Sequence, residues 1–357
     1  MKSLKLEEKV YVSSRASWIA TGSAYVLSPL IILLVIQLGG LNMGRALGAL
    51  YLGSVGSTYG IALSLLNATH LLIISLGIII AFRCRLFNVG AEGQQIVGAI
   101  VATAFGLSMA GTNGVLIAVV LIVVSVVSGA LYGGLAGILK ARWGINEIIV
   151  TIMLNWVAVV AVSFVIRGPL KDPTVNWPQS PLIPFNSWLP FLIPGSNLNL
   201  SLVFAFAMVA VVYLLLFRTP LGYEIRAVGA NISAARANGI NVRRIMTVSM
   251  LLSGALAGFS GGLYILGVIH QLLDVRSSGS TPPWAWGYTG IVVALMGRLH
   301  PIGVVFASIF FGALLSGMSA VARELSVPAP LVDLSQGIVI ILVLVLEAIV
   351  RYRVKRS

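Results

Sequence analysis

A chain of 357 residues that is 58% hydrophobic and only 9% charged lies far from the roughly one-quarter charged content of soluble globular domains. With a mean hydropathy of +1.01, this composition excludes a soluble fold and points to an integral membrane protein. The formal net charge of +13 arises from Lys and Arg scattered over short polar stretches, which disfavours nucleic-acid binding and points to membrane topology.

Apolar runs of about 20 residues match the roughly 30 Å hydrocarbon core, where only helices or closed barrels satisfy the backbone. Barrel strands would alternate in polarity, and these runs do not. The predicted fold class is therefore all-α, a polytopic membrane helix bundle of about ten transmembrane helices. The spans fall near 18–38, 59–81, 94–110, 115–139, 146–166, 200–217, 246–270, 284–297, 301–320 and 335–350. Two of them, 94–110 and 284–297, are short enough to be broken or partly re-entrant. The first lacks a clear small-residue cleavage site and is expected to be retained as a helix.

Cytoplasmic loops are enriched in Lys and Arg. With the N-terminus inside, the positives before the first span, at Arg83 and Arg85, at Lys140 and Arg142, at 218–244, at Arg298 and at the C-terminus fall on one side. Arg45, Arg167, Lys171, Arg276 and Arg323 fall on the other. Both termini are thus expected to be cytoplasmic. The single cysteine, Cys84, permits no internal disulfide and shows no metal-ligand spacing.

Chemistry-bearing positions are few. On the second span, Ser64, Asn67 and His70 are polar groups at helical spacing, open to a packing role or a pathway role. The stretch 87–94, FNVGAEGQ, sets Asn88, Glu92 and Gln94 at the start of the third span. Asn88 reads as a cap and Glu92 as a complement to the helix dipole, whereas polar groups at broken membrane helices also line pathways. The next motif, GINEIIVTIMLN at 144–155, has Asn146 as a cap. It also puts Asn155 about two and a half turns inside the fifth span, where an amide requires a partner; an interhelical hydrogen bond and pathway lining both remain open.

Small residues recur every fourth position at Ser125, Gly129, Gly133 and Gly137, at Gly254, Gly258 and Gly262, and at Ser308, Gly312 and Ser316. Such faces permit close helix approach; packing within the bundle is the simpler reading against a subunit contact, and the third stripe would equally serve a subunit contact. The stretch 168–199 is proline-rich and carries Trp177 and Trp188. It is expected to be an external loop anchored at the membrane interface, with recognition as the competing role.

The polar island from Arg218 to Arg244 holds five arginines and Glu224 between two long apolar runs. Thr219 and Pro220 read as a helix start, Gly229 as a break, Asn231 as a second cap, and Asn238 with Gly239 as a stop before Asn241 opens the seventh span. Ala227, Ala230, Ala234 and Ala235 would allow close approach of a soluble partner. No phosphate-binding loop, zinc-protease motif or nucleophile elbow is present, so neither ATP hydrolysis nor familiar hydrolytic chemistry resides in this chain.

Together with SGALAGFSGG (253–262) and GYTGIVVALMGRLHPIGV (287–304), the segments FNVGAEGQ, GINEIIVTIMLN and GYEIRAVGANISAARANGINVRR (222–244) resemble permease subunits of bacterial and archaeal ABC importers. The resemblance is to the nucleoside and simple-sugar permeases of the branched-chain amino acid and ribose permease superfamily, and it runs in order from about residue 60 to 350. It implies a single transmembrane permease domain over 1–357, with the vitamin B12 importer-like fold and a multi-pass location in the plasma or inner membrane. It further implies a cytoplasmic coupling region at 218–245, drawn from Glu224, Arg226, Ala227, Gly229, Ala230, Asn231, Ala234, Ala235 and Gly239.

The partners so implied are an ATP-binding subunit with two nucleotide domains, a second related permease and an external substrate-binding protein, with no cofactor held by this chain. Nucleosides are the expected cargo, with simple sugars or branched-chain amino acids as alternatives. Asn67, His70, Asn88, Glu92, Gln94 and Asn155 are candidates to line the pathway. A stand-alone ion-coupled carrier is the competing class, opposed by the scarcity of acids deep in the spans.

Overall fold

The computed structural model describes residues 42–274 and 286–326 continuously, together with 4–8, 352–356 and scattered positions within 22–40 and 334–346. The chain divides into two compact units, Leu65–Gly312 and a smaller one formed by Met1–Ser64 with Ala313–Ser357.

The helices are α1 (Met43–Ser54), α2 (Thr58–Arg83), α3 (Ala91–Ser108), α4 (Gly114–Trp143), α5 (Glu147–Arg167), α6 (Ser201–Arg218), α7 (Pro220–Ala230), α8 (Ile232–Ala237), α9 (Val242–Tyr264), α10 (Trp286–Met296) and α11 (Pro301–Glu324). Besides these, the described residues include one antiparallel pair, β1 (Leu4–Glu8) with β2 (Tyr352–Arg356), in which Leu4 faces Arg356. Six of the described helices are long and apolar enough to cross a membrane: α2, α4, α5, α6, α9 with its extension to Ile269, and α11. Helix α3 falls short of that group because Glu92, Gln94 and Gln95 open it, and α10 has only 11 residues. The expected spans near 18–38 and 335–350 lie largely outside the described residues.

Helices α2 and α9 are core helices, with 83% and 72% of their most apolar windows buried, whereas α4, α5 and α6 are each at most 28% buried there. The exposed residues of α4 include Val119, Val123, Val127, Leu131 and Leu135, a row that would otherwise be unusual on a protein surface and that suits lipid. The small-residue faces explain how α9 and α4 meet. A Cβ on Gly129 would fall 2.5 Å from the Gly254 carbonyl oxygen and 2.6 Å from the Gly258 Cα, and one on Gly133 would fall 2.8 Å from the Met250 carbonyl. Those faces therefore serve packing within the chain. Without a hydrophobic gain between helices in lipid, this backbone approach is what holds the pair.

Helix α9 ends in a π-helical turn, Ile265–Ile269, closed by His270 in the left-handed region at φ 57°. A π turn leaves carbonyls turned away from the regular ladder, and the proline-rich 168–199 stretch docks on them. Leu189 N donates to Leu266 O at 3.0 Å and Asn199 Nδ2 to Gly267 O at 2.6 Å, while Trp188 stacks on the His270 ring at 3.5 Å between centroids. Trp188 thus fastens the loop onto its own chain, while Trp177 stays exposed. Nearby, Arg167 pairs with the buried carboxylate of Asp274.

In the smaller unit, Gly53 on α1 packs against Ala320 and lies close to the Ser316 carbonyl of α11. Arg45 and Glu324 form an exposed ion pair at 2.9 Å.

Candidate functional site

Two clusters in the Leu65–Gly312 unit involve the expected site residues. The first surrounds the start of α3. Asn88 does not cap this helix: the N-cap is Gly90, which has no side chain to offer. Instead Asn88 Oδ1 accepts from Gly90 N at 3.0 Å, in a local turn before the helix. The capping bond is supplied from another helix. Asn155 Oδ1, on α5, accepts from Gly93 N at 2.8 Å, the third amide of α3, and Asn155 Nδ2 donates to Val89 O at 2.9 Å. An N-cap side chain would take that same amide.

Asn88 Nδ2 donates to Gln94 Oε1 at 2.9 Å and to Ser253 Oγ on α9 at 2.8 Å, and Gln94 Nε2 returns a bond to Asn88 Oδ1 at 3.0 Å. Asn88, Gln94 and Asn155 are consequently brought together as a hydrogen-bonded knot joining α3, α5 and α9. Two glycines make that closeness possible. A Cβ on Gly93 would meet Asn155, and one on Gly90 would meet Thr151. Beside the knot, Glu147 pairs with Lys140 at 2.8 Å, and Asn146 caps α5 as expected.

His70 belongs to a different neighbourhood. It is fully buried on α2, with Nδ1 3.2 Å from Ser260 Oγ and its ring stacked on Trp286 at 4.7 Å, the planes within 6°. Tyr264 meets both rings edge-on, at 5.2 and 5.0 Å. Glu92 lies beneath Gly287, the residue after Trp286: a Cβ there would come 2.6 Å from the Glu92 Cβ. Asn67 sits half-buried three residues before His70 on the same helix.

The second cluster is the foot of the polar island. Its caps form as the residue types dictate. Thr219 Oγ1 accepts from Gly222 N at 3.1 Å with Pro220 at the first helical position, Asn231 caps α8 through Ala234 N, Gly239 takes φ 80° after its end, and Asn241 caps α9. Gly229 is the exception. Helix α7 continues through it to Ala230, and the missing side chain instead lets α7 press on the backbone carbonyl of Arg83 at the end of α2. Ala235 is buried at 3% exposure, so it faces the protein, while Ala230, Ala234 and Tyr223 are exposed to differing degrees.

Arg83 donates through Nε and Nη2 to Leu299 O at 3.0 and 2.8 Å. Phe217 lies beneath Arg226 at 5.3 Å and Arg83 at 6.0 Å, with the His300 ring 5.3 Å away. Burial, and secondarily the charge of Arg83, holds His300 below the ordinary histidine range. The turn Gly297–His300 carries Arg298 and Leu299 at φ 56° and 52°, conformations that persist only where neighbours impose them. Arg83 supplies that constraint on Leu299. The island is thereby tied to α2, which bears His70, and to the turn that follows α10, which bears Trp286. Composition and spacing do not reveal Arg83, Phe217, His300 or Trp286, because each acquires its role from a partner distant in sequence.

These features define an integral membrane protein of packed helices with a polar helix start inside it and a capped polar island at one end. No group of three or more metal-ligating side chains occurs among the described residues. The chain belongs to the family of permease components of branched-chain amino acid transport systems, whose model matches residues 60–344. It is similar to the glucose ABC transporter permease protein TsgB13 of Haloferax volcanii, 32% identical over 95% of this chain and 90% of that protein. Similarity extends to the nucleoside ABC transporter permease protein NupB of Lactococcus lactis, 31% identical over 83% and 82%, and to the guanosine ABC transporter permease protein NupP of Bacillus subtilis, 31% identical over 87% and 88%. No solved structure matches. The chain is accordingly a transport component of an ABC transporter and not an enzyme, and membership implies association with ATP-binding and substrate-binding components.

Proposed function

We propose that this permease carries nucleosides inward by alternating access, driven by ATP hydrolysis in a separate subunit. The observation that carries the cargo is the likeness to two relatives named for nucleoside and guanosine transport, each covering more than four-fifths of both chains. The electrostatics agree. Acidic residues are few in the described helices of the larger unit, namely Glu92, Glu147 and Glu224, with Glu147 paired to Lys140 and one Glu92 carboxylate oxygen buried without a partner among the described residues; that scarcity suits a neutral solute. Glucose is the second reading, favoured by the Haloferax volcanii relative. Family membership removes the ion-coupled carrier as the competing class.

In this reading the chain has the ten-helix vitamin B12 importer-like architecture with cytoplasmic termini. It pairs with a second related permease, an ATP-binding subunit with two nucleotide domains and an external binding protein. Helices α7 and α8 are the coupling region, and Glu224, Arg226, Ala227, Ala230, Asn231 and Ala234 meet the ATPase. The contact of Gly229 with Arg83, and of Arg83 with Leu299, gives movement of α7 a direct route to α2 and to the turn after α10. Such movement does work only if the ATPase subunits bind its two states with different affinity.

Proteoliposomes holding this chain with its partner permease, ATPase and binding protein test the reading. ATP-dependent uptake of guanosine or uridine is the expected result, uptake of glucose alone would move the cargo, and uptake by this chain alone on an ion gradient would overturn the mechanism.

A further inference from the structure

The polar side chains around the start of α3 differ in one respect. Both ends of the Asn88, Gln94 and Asn155 carboxamides are hydrogen-bonded, Asn88 and Gln94 to each other, Asn88 also to Ser253, and Asn155 to Gly93, Val89 and Tyr288. Gln95, the next residue after Gln94, is fully buried, yet among the described residues neither its Oε1 nor its Nε2 has a hydrogen-bond partner, and the same holds for Nε2 of the buried His70 and for Oε2 of Glu92. A buried carboxamide with both ends unmatched is costly, and native proteins rarely keep one without a use.

Two adjacent contacts place Gln95 and His70 in one neighbourhood. Ser260 bonds His70, and the following residue, Gly261, packs on the backbone carbonyl of Gln95. Trp286 stacks on His70, and the following residue, Gly287, packs on Glu92 one turn before Gln95. Helices α2, α3, α9 and α10 therefore converge on a group of flat rings, Trp286, His70 and Tyr264, and the backbone of Gln95 packs on the residue after Ser260; the Gln95 carboxamide and His70 Nε2 lack partners among the described residues.

Resting on the nucleoside reading, we propose that Gln95 and His70 Nε2 are the hydrogen-bonding edge, and the half-buried Trp286 the stacking face, of the site that reads the nucleobase during transport. A carboxamide presents one acceptor beside a donor pair, the pattern that matches the edge of a purine or pyrimidine. An indole offers a base a π-face, a partner that a free sugar cannot use in the same way. The hydrogen-bonded residues Asn88, Gln94 and Asn155 hold the helices in place and make no contact with cargo.

The test uses the assembled transporter in proteoliposomes, with guanosine, adenosine and glucose as probes and complex formation by Gln95→Leu and Gln95→Glu checked by gel filtration. Gln95→Leu is expected to raise KM for both nucleosides by on the order of tenfold. Gln95→Glu, an acceptor alone, is expected to shift the guanosine-to-adenosine ratio of kcat/KM toward guanosine, whose ring presents two neighbouring donors. Nucleoside uptake with KM and ratio unchanged in both variants would overturn the site while leaving the nucleoside reading intact. Glucose-only uptake by the unsubstituted complex would overturn that reading and the site with it. As an independent measurement, photolabelling with 8-azidoguanosine is expected to modify peptides of α2, α3, α9 or α10; labelling confined to other helices would overturn the proposal even if the Gln95 variants fail to assemble.

Discussion

The side-chain oxygen of Asn155 holds the amide of Gly93 at 2.8 Å, so the start of α3 is capped by a residue 62 positions away on α5. Asn155→Leu strands that amide and the Val89 carbonyl, a penalty of about 1–3 kcal/mol for each buried group left unmatched. The variant is expected to melt several degrees lower in detergent, whereas Asn155→Asp, which keeps the acceptor, is expected to lose less. Equal melting temperatures for the two would contradict the capping role.

The contact of Gly129 with Gly258 is backbone on backbone. Gly258→Ala is expected to destabilise by about 1–3 kcal/mol, because neither helix has a flexible side chain to move aside. Gly48 on α1 has nothing within 4 Å of an added Cβ, and Gly48→Ala is expected to be neutral or to stabilise its helix by up to about 1 kcal/mol. Thermal-shift measurements on the two variants check the contrast.

The two ion pairs at Arg167 and Arg45 look alike in sequence and differ in burial. Asp274 is fully buried against Arg167, so Arg167→Met leaves a buried carboxylate without its cation and is expected to cost about 3 kcal/mol or more. Arg45 and Glu324 are 61% and 54% exposed, and Arg45→Met is expected to cost no more than about 1 kcal/mol. Denaturation of both variants in one detergent would decide the order.

Cys84 is fully buried, and burial pushes its thiol up to about 11. The thiolate is the reactive form, so maleimide labelling near pH 7 is expected to fail on the folded protein and to go to completion after denaturation. Rapid labelling of the native chain would mean that the loop after α2 opens.

Glu224 is half-buried on α7 and makes no ion pair among the described residues, leaving its carboxylate available to a partner. Glu224→Arg is expected to leave expression and complex assembly measurable while uptake falls and ATPase activity no longer follows substrate. Normal uptake by this variant would end the coupling assignment.

Much of the architecture is legible in the order of residues. The caps at Asn146, Thr219, Asn231 and Asn241 form as expected because a cap is a contact over two or three residues. The glycine faces of α4 and α9 are equally legible, since helical spacing puts them in line. Gly229 misleads because Gly is both a helix breaker and a point of close approach, and only the position of Arg83 shows which applies. Gln94 stands out by its motif, whereas Gln95, a third of a turn away, carries no such signal; nothing in the order of residues says which of two adjacent amides faces a partner.

Membrane residence, the helical class and the polar island follow from the sequence alone, because hydropathy and capping act within one or two turns of chain. The tertiary structure decides which buried polar groups are satisfied and which are not. His70 finds Ser260 190 residues away and Asn88 finds Ser253 165 residues away, while Gln95 finds no partner among the described residues. In a medium that supplies no water to an unmatched donor or acceptor, that difference separates scaffold from candidate site, and it exists only once the helices are packed.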